Sequence, residues 1–501
     1  MKLRLSSSRR LHRSLVAGAA LAAAGSLTWV GVGGAQAAPA WVTHGGTVLQ
    51  TNLVSDLPGV AAATDPNLVN PWGISESSGS PFWISDNNAG VTTLYVVPGS
   101  GGAPVTVNPL VVNIPTPVDT TGGTPTGTVF NPNNGAGAFP VTGLNKSGQK
   151  ASAPALFLFD TEDGTIIGWN PGIDPTGKFA GPNGASEQAA IAVDDSGNNF
   201  TNPDPAQQTG AVYKGLAIAT SSTPIIASDP NSTALLYATN FREGVVDVYD
   251  STFAEVTTLP AGAFTDPNLP AGYAPFGIQE LNGKIYVTYA KQDALKHDDA
   301  AGPHRGFVDV YNLDGTPGLP NGNVRLISRG ALNSPWGLAI APQGFAGLSA
   351  GNDPVLLVGN FGDGRIHAYD ASNGSFAGRL NDPDGEPIVI DGLWGLRVGN
   401  GGAGGLTNTV YFTAGIFGES HGLFGALNTA APGSPEGPAE GQWVQANLDL
   451  VQLDLQQLNA DVAAGAPKAT INADRQALDA DTHQFALVEQ AYGADKVADA
   501  G

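Results

Sequence analysis

Residues 335–370 contain Pro335-Trp336-Gly337-Leu338, then Val355-Leu356-Leu357-Val358-Gly359-Asn360-Phe361, then Gly364-Arg365-Ile366-His367-Ala368-Tyr369-Asp370. The pattern is an apolar strand opened by Pro-Trp-Gly, a second apolar strand, a Gly turn, and an alternating strand that ends in an aromatic residue. Working outward, the template recurs as Leu393-Trp394-Gly395-Leu396 with residues 409–413 and 422–427. It recurs again as Pro275-Phe276-Gly277-Ile278 with residues 284–289 and 306–311. Near the start it reads Pro71-Trp72-Gly73-Ile74, Phe82-Trp83-Ile84-Ser85-Asp86-Asn87 and residues 90–95. Looser copies begin near Gly143 and Gly215, so glycines 73, 143, 215, 277, 337 and 395 mark six repeats 58–72 residues apart. Four short strands per unit, repeated six times, predict an all-β, six-bladed β-propeller of four-stranded blades over residues 46–427. The stretches 99–140 and 170–211 read as surface insertions in the first two repeats. Residues 46–55 read as a strand before the first repeat, and the last repeat lacks an outer strand. The expectation is that residues 46–55 supply it and close the ring.

Composition agrees with that architecture. Gly and Pro make up 105 of 501 residues, the glycines have no period of three, and 42% of the chain is hydrophobic. Long helical bundles, collagen and disorder throughout are thereby excluded. Residues 1–37 read as an export signal: Lys2, Arg4, Arg9, Arg10 and Arg13 precede an apolar run that ends at Ala35-Gln36-Ala37. The expected location is therefore secreted, with no membrane span after signal removal. The remaining chain would carry 17 basic against 44 acidic residues, a net charge of −27. Such a charge argues against nucleic acid and anionic membranes as partners. There is no Cys, and the single Met is residue 1, so stability must come from the fold and not from disulfides.

The repeat resembles the NHL-type six-bladed propeller. More narrowly, residues 52–427 resemble a family of secreted bacterial proteins of uncharacterised function. The residues that carry this likeness are Asn70-Pro71-Trp72-Gly73-Ile74, Trp83-Ile84-Ser85-Asp86-Asn87, Ala290-Lys291-Gln292-Asp293, Lys296-His297-Asp298-Asp299, Gly306-Phe307-Val308-Asp309-Val310-Tyr311 and Ser334-Pro335-Trp336-Gly337. The resemblance implies fold and export, and no reaction.

Residues 428–441 form a Pro/Gly/Ala linker. In residues 442–498 the period changes: Leu448, Val451, Leu455, Leu458 and Val462, then Ile471, Leu478, Phe485 and Tyr492, predict an α-helical hairpin. This piece would pack on the propeller, self-associate or bind a cell-surface partner.

By analogy with other propellers, a site is expected on the loops at the top of the channel. The entry loops give Trp72, Phe276, Trp336 and Trp394. The cross-loops give Asp86, Asn87, Asp160, Glu162, Asn240, Arg242, Asn360, Asp363 and Glu419. The leading expectation is a small polar, carbohydrate-like or cell-envelope ligand bound by Trp72, Asp86, Asn87, Asn240, Arg242, Lys291, Trp336, Asn360 and Trp394. The fourth cross-loop concentrates charge from Lys291 to Arg305 in a chain with only 13% charged residues. His297, Asp298, His304 and His421 are accordingly candidate ligands of a divalent metal, which would make the protein a metal-assisted hydrolase or lyase. A scaffold assembled through residues 442–498 is the third reading. Asp194-Asp195-Ser196-Gly197-Asn198-Asn199 lacks the terminal Glu of an EF-hand. The two Gly-x-Ser-x-Gly sequences, at 347–351 and 418–422, lack the strand-to-helix context of a nucleophile elbow.

Overall fold

In the computed structural model, residues 46–99, 104–434, 455–460, 462–464, 466–468, 470–472, 475 and 478 are described. The expected signal at 1–37 lies outside them, as does most of the expected hairpin. Helical backbone is present at 455–460 and 462–464, where Leu455 and Val462 are 47% and 52% exposed. No helix among the described residues is long and apolar enough to cross a membrane.

The regular structure of the remainder is β apart from four single-turn 3-10 helices, and it forms a β-propeller. The first sheet holds Pro71–Ser75, Phe82–Asp86 and Val91–Val96, with Thr106–Val107 and Val112–Asn113 on its outer edge. The second holds Pro125–Phe130, Phe157–Thr161, Thr165–Trp169 and Ala190–Asp194, and the third Tyr213–Thr220, Ala234–Asn240 and Val245–Tyr249. The fourth runs Tyr273–Leu281, Lys284–Lys291, Phe307–Tyr311 and Arg325–Ser328. The fifth runs Pro335–Ile340, Val355–Asn360, Ile366–Asp370 and Phe376–Asn381. The last joins Leu393–Val398, Val410–Ala414 and Leu423–Thr429 to the N-terminal strand Gly46–Ser55, which pairs antiparallel with Leu423–Thr429 and, through Gly46 and Thr47, parallel with Leu380 and Asn381 of the fifth, so that these two sheets are continuous.

The recurring glycine explains how the sheets meet. Every inner strand carries one extra residue against its partner, as where Pro71 faces Asp86 but Ile74 faces Ile84. The same bulge recurs between Pro125 and Thr128, Tyr213 and Leu216, Pro275 and Ile278, Pro335 and Leu338, and Leu393 and Leu396. A bulge re-aims the side chain beside it. Here that residue is in turn Trp72, Thr126, Lys214, Phe276, Trp336 and Trp394. The glycine that follows lies against the next inner strand. A Cβ on Gly73 would stand 2.5 Å from the Thr126 carbonyl oxygen, one on Gly127 2.3 Å from Leu216 N, and one on Gly215 3.0 Å from the Phe276 oxygen. Gly277 faces the Trp336 oxygen at 2.2 Å, Gly337 the Trp394 oxygen at 2.4 Å, and Gly395 the Trp72 oxygen at 2.8 Å. The order returns to its start. Side chains reinforce it: Thr239 Oγ1 donates to the Phe276 carbonyl (2.7 Å) and Thr413 Oγ1 to the Trp72 carbonyl (2.5 Å).

Two expectations are corrected. The second inner strand opens at Pro125-Thr126-Gly127, whereas Gly143 lies in a separate hairpin, Pro140–Leu144 paired with Lys150–Pro154. The stretches read as insertions contain the edge strands Thr106–Val107, Val112–Asn113 and Ala190–Asp194 as well as that inner strand.

Candidate functional site

The four aromatic bulge residues meet at the channel axis and, with Phe361, fill it. Trp72 stacks on Trp394 with centroids 3.5 Å apart, and Phe361 stacks on its other side at 4.0 Å. Trp336 meets both indoles edge-on at 6.1 and 5.8 Å, and Phe276 meets Trp394 at 5.8 Å. Trp72 and Trp394 are only 3% and 1% exposed. An exposed aromatic ring was expected here. The rings instead bury one another and plug the channel, because contact among them removes more apolar surface than a ring open to water would.

On one side of this plug lies a cavity of about 350 Å³ lined mostly by inner-strand residues, among them Glu280 and Glu76, which Arg397 Nε contacts at 2.9 Å. Trp336 lines it too. The other side holds a cavity of about 340 Å³ floored by Trp72, Trp394 and Phe361 and walled by loop side chains, and here the charge gathers.

Lys214 occupies the third repeat's bulge position, is 1% exposed, and stands 5.1 Å from the centroid of the Trp72 ring. Its ammonium pairs with Glu162 and with Asp298 Oδ1 at 3.1 Å. Burial favours the neutral amine, but these two carboxylates outweigh it and hold the Lys214 pKa above its usual value. His297 Nδ1 lies 2.9 Å from Asp298 Oδ1. Burial alone would raise Asp298, yet His297 and Lys214 hold its carboxyl well below the usual range.

Two amides set the carboxylates and a third holds the Glu419 backbone. Asn87 Nδ2 donates to Glu162 Oε2 (3.0 Å), Asn70 Nδ2 to Glu419 Oε1 (3.1 Å), and Asn88 Nδ2 to the Glu419 carbonyl (2.7 Å). Burial, with the Glu162 charge adding to it, pushes Glu419 up to about 7. A carboxyl so shifted can give or take a proton near neutrality.

Of the residues expected to bind ligand, Trp72, Asn87 and Trp394 line this cavity, and of those expected to bind metal, His297 and Asp298 do. The others do not line it, and most have partners of their own. Asp86 is fully buried and accepts from Thr93 Oγ1 at 2.8 Å. Asn240 donates to Asp247 at 3.0 Å, and Arg242 to Asn199 and the Gly210 carbonyl. Asn360 pins its own turn through Asp363 and the Ala331 carbonyl, and Lys291 ends a strand outside the cavity lining. His304 and His421 lie outside this cavity lining, His304 with its Nδ1 on the Gly330 carbonyl and His421 with its Nδ1 on Asp56 at 2.6 Å.

Glu162 and Glu419 are cross-loop residues to which the sequence assigns no role. Lys214, Asn70, Asn88 and Asp299 carried no site assignment. For Lys214 a signal exists: Tyr213-Lys214-Gly215 aligns with Pro-Trp-Gly, placing a cation where the other repeats put Trp, Phe or Thr.

A β-propeller with a plugged channel and a charged, amide-lined pocket at one end is the class that fold and site define. The chain belongs to one family with uncharacterized protein R648 of Acanthamoeba polyphaga mimivirus. The two are 32% identical over 387 residues, covering 75% of this chain and 78% of that protein. Uncharacterized protein L690 of the same virus is 31% identical over 385 residues, covering 75% and 84%. No family model matches the chain. Among solved structures, virginiamycin B lyase from Staphylococcus aureus is similar at 13% identity and a TM-score of 0.35, covering 77% of this chain and 99% of that one. An α-L-arabinanase of Penicillium chrysogenum complexed with arabinobiose is similar at 11% identity and a TM-score of 0.39, covering 76% and 98%. Identities of 11–13% bring no chemistry to this chain.

Proposed function

We propose that this chain is an exported, six-bladed, NHL-like propeller that binds a small polar, carbohydrate-like ligand of the cell envelope. The cyclic order of the six bulge glycines supports the blade count. The binding site is the pocket above the aromatic plug. The observation that carries this reading is the convergence of Asn70, Asn87, Asn88, Lys214, Glu162, Asp298 and Glu419 around one cavity of about 340 Å³ with a Trp/Phe floor. Apolar floors with a few convergent polar groups are how proteins hold small polar molecules. The volume, near the low end for ligand sites, favours a ligand of one or two rings.

Thermal unfolding should be measured with a panel of pentoses, hexoses, aldonolactones and N-acetylated amino sugars at millimolar concentration. At least one should raise the midpoint of the wild type and leave Asn87→Leu unmoved. A panel without effect, or a shift that Asn87→Leu retains, counts against this site. A second reading, acid–base hydrolysis or elimination in the same pocket, is favoured by Glu419. Turnover of the bound sugar derivative, lost in Glu419→Gln, would establish it.

A further inference from the structure

Resting on the pocket reading above, we infer that Glu162, His297 and Asp298 form a site for one divalent cation in the pocket wall. One ligand atom from each lies within 4.8 Å of the other two. Two metal–donor bonds of about 2.0–2.5 Å place ligands up to roughly 5 Å apart, so a single ion reaches all three. The set is not an accident of local sequence: Glu162 comes from the second sheet and His297-Asp298 from the long loop of the fourth. The ligands are also held in place. Asn87 Nδ2 donates to Glu162 Oε2, and Asp293 Oδ1 accepts from the His297 backbone N–H at 3.0 Å. Such outer contacts are what orient metal ligands.

Trp72 floors the same cavity, and its indole N–H has no partner among the described residues. Two carboxylates with one imidazole suit Mn²⁺ or Zn²⁺ better than a purely oxygen-seeking ion. This ligand set replaces the one built on His304 and His421.

Lys214 defines the competition. Its ammonium sits between Glu162 and Asp298, so the ion must share those carboxylates with a fixed positive charge. Removing that charge should tighten binding.

The test is calorimetric titration of the chelator-treated chain with Mn²⁺, Zn²⁺, Ca²⁺ and Mg²⁺ in turn. Thermal unfolding of each variant verifies its fold. The expected result is one ion per chain, Mn²⁺ or Zn²⁺ preferred. Affinity should fall at least ten-fold in Glu162→Gln and in Asp298→Asn, stay unchanged in His304→Ala, and rise several-fold in Lys214→Met. Absence of binding in both wild type and Lys214→Met overturns the inference. So does stoichiometric binding indifferent to Glu162→Gln and Asp298→Asn. Sugar binding that persists in excess chelator, beside no ion uptake, sinks the metal site alone and leaves the pocket reading standing.

Discussion

Gly277→Ala isolates the contact on which ring packing depends. Gly277 does not adopt a left-handed conformation, so its backbone accepts alanine without strain. On entropy alone the change would stabilise the chain by about 0.4–1 kcal/mol, through a less flexible unfolded state. The structure predicts the opposite sign. The new Cβ would stand 2.2 Å from the Trp336 carbonyl oxygen and 3.0 Å from its Cα. Relief requires the next inner strand to move by about 1 Å, against overpacking costs of typically 1–3 kcal/mol or more. The Trp336 backbone cannot swing aside as a flexible side chain could, so a loss of about 2–4 kcal/mol is expected. For a domain of about 390 residues the unfolding entropy is roughly 0.8 kcal/mol/K, and the midpoint should fall by about 3–5 °C. Gly215→Ala is the internal control, because its Cβ would meet the Phe276 oxygen at 3.0 Å, a gap that small adjustments relieve. Its change should stay within about 1 kcal/mol. Calorimetry of both variants is the assay. A Gly277→Ala protein as stable as the wild type, or more so, refutes the close backbone approach between neighbouring sheets.

Three further outcomes follow from the same geometry. Trp394→Ala, which empties the stack between Trp72 and Phe361, should cost about 3–5 kcal/mol in urea unfolding and connect the cavities on either side of the plug. Glu419, held near 7 against an ordinary 4.5, contributes stability in its protonated form below pH 4.5 and loses it as pH rises through 7. Glu419→Gln should therefore gain about 1–2 kcal/mol on wild type between pH 5 and pH 8 in denaturant titrations, the partial exposure of Glu419 limiting the effect; a gap constant with pH contradicts the shift. Expression of the full chain in an exporting bacterium should yield, by N-terminal sequencing, a mature product beginning at Ala38.

The propeller was legible because Pro-x-Gly marks a bulge whose glycine no side chain can replace without meeting the next sheet. Where the residue before glycine is Trp or Phe, the repeat is visible by eye. At Pro125-Thr126-Gly127 it is Thr, and the marker was misassigned to Gly143, which serves a hairpin. Edge strands such as Val112–Asn113 are two residues long and sit among Gly and Pro, so periodicity has nothing to act on. The site was half legible. His297-Asp298 stands out as charge in a charge-poor chain. Whether it meets Glu162 depends on how two loops from different sheets lean over the axis, which no local pattern encodes. His421 looked equivalent, but it lies outside the pocket lining, its Nδ1 on Asp56 beside the closing strand. The aromatic entry residues were read as a binding surface because sequence gives their position on the axis and not their mutual distance. Lys214 was overlooked because a lysine is sought at surfaces, whereas here it fills an indole's place beneath two carboxylates.

The most direct measurement is a thermal-shift comparison of wild type with Asn87→Leu across the sugar and lactone panel, because Asn87 sets Glu162 in the pocket wall and lies outside the aromatic plug. The wild-type midpoint should rise with at least one polar ring compound, and the variant midpoint should not. Equal shifts in both proteins, or none in either, would contradict the claim that this end of the channel is a ligand site.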